Sequence, residues 1–249
     1  MEVHHHSHTA RKKWTHYFWE FLMLFLAVFC GFLAENQREH MVEHKREKQY
    51  MQSMLVDLAA DTARFNRGIP LREARIRSID TVFMFFNSSH NAKTISGKLF
   101  KNLRRTTYDQ NLIRNTITIN QLKNAGAMRL IRNKMVTDSI AAYDFQFEYF
   151  AALHGEYYLI HQQADFRQLE KLVNSSDLLP LYILNSSVGT VNNIPDTMNI
   201  RINTEGLNEL LNFLMQLKVY ARQEINQIDQ LKRKATNLMM LIKQEYHLK

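Results

Sequence analysis

The chain has 249 residues, 45% of them hydrophobic, with 32 lysines and arginines against 24 aspartates and glutamates, for a formal net charge of +8. Seven glycines, three prolines and one cysteine exclude a disulfide-stapled scaffold, a collagen-like repeat and a low-complexity chain. The basic excess suits an anionic surface, but no nucleic-acid-binding motif accompanies it, and nucleic acid is not an expected partner.

The chain opens with clustered imidazoles, His4, His5, His6 and His8. Such a run binds transition metals readily. It sits in a short tail with no fold to shape a site, so it is a weak metal candidate and no cofactor is expected. Arg11, Lys12 and Lys13 follow, then the 21-residue stretch Trp14–Ala34 with a single formal charge, Glu20. As a helix it would be about 31 Å long, roughly the thickness of a bilayer's hydrocarbon core. Trp14, Tyr17 and Trp19 crowd one end, at the depth where amphipathic rings meet headgroups. No pair of small residues marks a peptidase site near Cys30, so the stretch is read as an uncleaved single-pass anchor. The basic triplet places residues 1–13 in the cytoplasm and residues 35–249 outside it, periplasmic in a host with two membranes. Thirteen residues are too few for an output domain, so any signal would pass through a partner. Glu20 is read as reaching the interface near Lys13 or His16, with a site facing a membrane partner as the functional alternative.

Residues 35–249 are predicted to form one all-α domain, a long-helix bundle with coiled-coil-like seams. The first helix should run from the membrane to Phe65, polar through Glu35–Gln49 with a Glu35–Arg38 pair, then amphipathic through Met51, Met54, Leu55, Leu58 and Phe65. Gly68 and Pro70 should end it, and a second helix should cover about Leu71–Phe86. A shorter helix near Ile95–Arg105 follows. Thr118 is a candidate cap for a short helix ending at Gly126, with Gly126 in the left-handed position. Thr137 or Asp138 should open a long helix to about Val173. Its seam runs Ile140, Tyr143, Phe147, Phe150, His154, Tyr157, His161 and Ala164. Residues 174–203 are expected to be an irregular loop with Leu178-Leu179 and Leu181–Leu184 tucked against the bundle. The last helix, Thr204 to about Tyr246, carries the cleanest three-four seam in the chain, from Leu207 to Ile242, broken only at Glu224.

Several segments resemble a family of short single-span proteins of Bacteroidota known as a domain of unknown function. They are Phe32-Leu33-Ala34-Glu35-Asn36, the charged run Arg38–Gln49, Leu55-Val56-Asp57-Leu58 with Asp61, Leu122–Gly126 with Leu130–Lys134, and Ile140–Tyr143. The resemblance implies an inner-membrane protein of a Gram-negative bacterium and no particular activity.

Motifs with chemistry are few. His40-Met41-Val42-Glu43-His44 matches an H-x-x-E-H metallopeptidase string, but it falls in the most polar part of the first helix and reads as a solvated face. Tyr143, Phe150, His154, Tyr157 and His161 form a possible ligand seam, with ordinary core histidines as the plainer reading. Arg64, Arg67, Arg72, Arg75 and Arg77 with Lys98, Lys101, Arg104 and Arg105 are read as solvated faces, with an anionic lipid or acidic partner as the alternative. The chain has no P-loop, G-x-G-x-x-G, G-x-S-x-G or C-x-x-C. The expected role is therefore structural, a scaffold or accessory subunit assembling with itself or with other envelope membrane proteins. A ligand-sensing module and a channel or transporter subunit built around Glu20 are the alternatives.

Overall fold

The computed structural model describes residues 14–107, 112–174, 176–179 and 194–248, the side chains of 158–166 excepted. The chain is all-α, with one short ribbon. It divides into two compact units, Met1–Tyr50 and Met51–Lys249. Helix α1 covers Trp14–Ser88, and its residues up to Tyr50 belong to the first unit.

In the first unit nearly every side chain from Trp14 to Leu33 is exposed, including Trp14, Phe21, Leu24 and Val28. Within α1 lies the one stretch, among the described helices, that is long and apolar enough to cross a membrane by length and composition. Beyond it the helix is polar, and Arg38 closes on Glu35 at 2.6 Å as the i,i+3 spacing predicts.

The second unit is built on three long helices: the rest of α1, α4 (Lys134–Leu172) and α5 (Leu207–Tyr246). Their directions follow from their contacts. Asp61 and Phe65 of α1 meet Tyr143 and Phe147 of α4, in the same order. His154 and Gln168 of α4 meet Tyr220 and Glu209 of α5, in reverse order. Hence α1 and α4 are parallel and α5 is antiparallel to both. The α5 seam is buried from Leu210 through Leu214, Leu217, Ala221, Ile228, Leu231, Ala235, Leu238 and Ile242, as its spacing requires. On α1, Met51, Met54, Leu58 and Phe65 are buried on one face.

The predicted break at Gly68 and Pro70 does not occur: α1 passes through Pro70 to Ser88, so the separate helix at Leu71–Phe86 is its continuation. Proline removes one helical donor and crowds the preceding turn. Packing on both sides outweighs that cost, with Phe65 before the proline and Arg72, Ile79 and Val82 after it all buried. Arg72 also returns Nη1 to the Gly68 carbonyl at 3.3 Å.

Strand β1 (Thr94–Ser96) pairs antiparallel with β2 (Asn199–Arg201), Ile95 opposite Ile200. The stretch predicted as wholly irregular thus contributes a strand, and Ile95 lies in a strand rather than a helix. Helix α2 (Gly97–Thr106) starts beside the ribbon, capped by the Ser96 hydroxyl accepting from the Leu99 amide at 3.2 Å. Gly97 cannot be replaced there: a Cβ would stand 2.0 Å from the Pro195 carbonyl oxygen, because the Gly97 amide donates to Met198 O at 2.7 Å. Leu99, Phe100 and Leu103 of α2 join Ile79, Val82 and Phe86 of α1 and Leu210, Leu214 and Leu217 of α5 in one core. Leu178 also enters it, whereas Leu179, expected to be tucked in, is exposed. Residues 181–184 lie outside the described residues.

Short helix α3 (Ile117–Asn124) ends at Gly126, whose φ of +63° is the left-handed conformation expected. A single 3-10 turn, Ala127–Leu130, leads towards α4. Helix α4 starts earlier than predicted because Asn133 caps it, its side chain accepting from the amides of Met135 and Val136 at 2.8 and 3.4 Å.

Candidate functional site

The predicted α4 seam is buried at Ile140, Tyr143, Phe147, Phe150 and His154, and Tyr157 is half-buried. His161 falls in α4 with its side chain outside the described residues. Around this seam the structure assembles two polar clusters that the sequence reading did not.

The first cluster joins all three long helices. His154 of α4 stacks between Phe150 and Tyr220 of α5, with ring centroids 5.5 and 6.1 Å away and near-parallel planes. Its Nδ1 lies 2.5 Å from Glu224 Oε1 and 2.9 Å from the Tyr220 hydroxyl. A carboxylate only accepts, so Nδ1 carries the proton that faces Glu224. Arg72 of α1 donates Nη2 to the same Glu224 oxygen at 3.1 Å. Glu224 therefore does not break the α5 seam; it occupies its inward row and holds two donors from the neighbouring helices. Burial alone would raise the Glu224 carboxyl, but the His154 hydrogen bond and the Arg72 charge outweigh it and hold it below the usual range. Tyr157 stacks on Tyr220 at 3.4 Å. The seam residues Phe150, His154 and Tyr157 thus do meet, completed by Tyr220, Glu224 and Arg72. The available signal was Glu224 itself, a charged residue at an apolar position of a regular seam.

The second cluster pins residues 114–118 onto α1 and α4. Asp57 accepts from the Asn115 side chain at 2.6 Å and the Thr118 amide at 3.1 Å. Thr118 is therefore buried inside α3 and does not cap it. Asp61 accepts from the Asn115 amide at 2.8 Å, Tyr143 Oη at 2.8 Å and Arg64 at 3.1 Å. Burial pushes the Asp61 carboxyl above its ordinary value despite these donors. Tyr143 is raised as well, first by burial and then by the Asp61 charge. Arg114 lies over the Phe147 ring at 4.7 Å and donates to Asp144 and Glu148. Spacing held a hint here too: Asp61 stands on the same inward row as Leu58 and Phe65.

The other candidates are dispersed. His16 meets Glu20 at 3.1 Å, one helical turn away. Trp14 and Trp19 are exposed on α1, whereas His4, His5, His6, His8, Arg11, Lys12 and Lys13 lie outside the described residues. His40 and His44 each face a glutamate three residues on, at 4.0 and 3.2 Å, and no group of three potential metal ligands forms among the described residues. The basic group around the first turns separates. Arg72 and Arg75 are buried, and Arg75 donates to the Thr106 carbonyl at 2.7 Å at the C-terminal end of α2. Arg77 and Lys101 pair with Glu73 and Asp196.

No protein-family model, no curated protein and no solved structure matches the chain.

Proposed function

We propose that this is a single-pass protein of a bacterial inner membrane, N-terminus in the cytoplasm and helical domain in the periplasm, that works by assembly, as a scaffold or accessory subunit, rather than by catalysis. The exposed apolar run of α1, preceded by Arg11-Lys12-Lys13, supports the anchor and its direction. The family resemblance is part of the same proposal. The observation that carries the assembly role is a second apolar row on α4. With the inward row already filled, Ala142, Phe145, Tyr149 and Leu153 remain exposed at steps of three and four, the spacing of a helix-packing seam.

In-cell crosslinking at native expression, with mass spectrometry of what co-purifies, tests this. A discrete homo-oligomer or a defined set of envelope proteins, lost when Phe145 and Tyr149 are replaced by serine, is expected. A monomer crosslinked to nothing sinks the assembly reading. The second reading is a periplasmic ligand-sensing module. It is favoured by the Arg72–Glu224–His154 junction, where a change at one residue reaches three helices at once.

A further inference from the structure

Where α1 passes through Gly68 and Pro70 the surface opens into a groove of about 880 Å³, the size of a site for one small molecule. Its lining is two-sided. Pro70, Leu71, Leu112 and Ile113 supply an apolar wall, and Arg64 and Arg67 supply cations. Arg72 is fixed at the floor, held by Glu224 and the Gly68 carbonyl. The two outer arginines differ. Arg64 is held at one nitrogen by Asp61, whereas Arg67 is exposed and makes no ion pair among the described residues. Leu71 and Ile113 are exposed apolar side chains, 45% and 70% open to solvent. Arg64 and Arg72 already hold Asp61 and Glu224, so Arg67 is the cation at the cleft with no ion pair among the described residues, and its guanidinium favours an anionic head, which an arginine fork binds at two points. The neighbouring apolar wall calls for a hydrocarbon part on the same molecule.

We propose that this groove binds a single-chain amphiphile ending in a carboxylate or phosphate monoester, its head on Arg67 and Arg64 and its chain along Leu71, Leu112 and Ile113. A volume of this size fits one chain rather than the two of a bilayer phospholipid. Arg72 adds a consequence. An anion at the groove competes electrostatically with Glu224 for the same guanidinium, so occupancy reaches the junction of the three helices. The site does not depend on the assembly role proposed above.

The test is photo-crosslinking of a diazirine-bearing palmitate to the full chain in phosphatidylcholine nanodiscs, followed by peptide mapping. Label is expected on the peptides carrying Leu71 and Leu112-Ile113. Decyl phosphate and decanoate should compete for it, and neutral decyl maltoside should not. Replacing the exposed Arg67 by glutamate (Arg67→Glu) removes a charge-assisted contact and should lower that label about tenfold. Leu71→Gln, also at an exposed position, should lower it without altering the label on the Trp14–Leu33 segment, which serves as the internal control. Label confined to the anchor, or unchanged in both variants, overturns the proposal. Competition by inorganic phosphate as strong as that by decyl phosphate also overturns it, because the apolar wall would then contribute nothing.

Discussion

Asp61 and Glu224 are both closed off from solvent, 1% and 2% exposed, each on the inward row of a long helix, yet their acidities move in opposite directions. The difference lies in what donates to them. Asp61 is held mainly by neutral groups, the Asn115 amide and the Tyr143 hydroxyl, while Arg64 stands at the solvent edge and Arg114 is committed to Asp144 and Glu148. Glu224 has a fully buried guanidinium on one of its own oxygens, beside His154. Neutral hydrogen bonds offset part of the cost of burying a charge; a buried counter-charge in contact can reverse it. The two regions therefore serve the fold differently. The Asp57–Asp61 cluster orders a connecting segment, and the Glu224 junction ties three helices through charges that depend on one another.

The largest effect should come from Glu224→Ala. It removes the buried carboxylate that Arg72 and His154 both contact and should cost about 3–5 kcal/mol, the loss measured when one partner of a buried pair is removed. Urea unfolding of the full chain in detergent, followed by helical circular dichroism, measures it. A loss below about 1 kcal/mol would show that the junction does not act as a charge balance. Replacing both charges by apolar residues of similar size, Arg72→Met with Glu224→Leu, should recover most of the loss, since the pair stabilises far less than its halves cost alone.

Asp61→Asn should cost less, about 1–3 kcal/mol, because neutral donors lose one acceptor and no buried cation is stranded. If it proved as damaging as Glu224→Ala, the contrast between neutral and charged partners would fail. Tyr143→Phe removes one of those donors and should cost about 1 kcal/mol, readable in the same denaturant series.

How much of this was legible beforehand depends on whether the deciding partner was local. The α5 seam and the Gly126 stop follow from short-range spacing, and both stand in the structure. The inward face of α1 is equally local. Pro70 misled because its penalty is local while the packing that overrides it comes from distant segments. The ribbon of Thr94–Ser96 with Asn199–Arg201 was hidden for the same reason, since each three-residue strand is too short to show alternation. Glu224 stood out as an interruption, but its partners Arg72 and His154 come from other helices, and no spacing rule connects them. Asp57 and Asp61 entered the reading only through the family resemblance. Their true signal was a carboxylate on an apolar face, which demands donors without saying where they come from.

The smallest effect is the pH dependence of the intact protein, because two of its buried carboxylates, Asp61 and Glu224, oppose each other. Glu224 titrates below its ordinary value when folded. Its stabilisation is complete above the unfolded value and is lost as pH falls through the folded one. Asp61 titrates above its ordinary value, so the folded state binds its proton more readily than the unfolded chain. Its contribution is most favourable below the unfolded value and is lost as pH rises through the folded one. Asp144, held down by Lys123 and Arg114 against its own burial, lies on the Glu224 side, as do the half-buried Asp177 beside Arg201 and the exposed Asp196 beside Lys101. The wild type should therefore lose stability in acid, but less steeply than these groups alone dictate. Asp61→Asn removes the opposing contribution and should steepen the loss as pH falls through the carboxylate range, relative to wild type. Glu224→Gln should flatten it, from a lower starting stability. Thermal unfolding of the three proteins across that range separates the slopes. Slopes that shift in the same direction in both variants would mean that the two carboxylates do not differ in kind, and the contrast between them would fall.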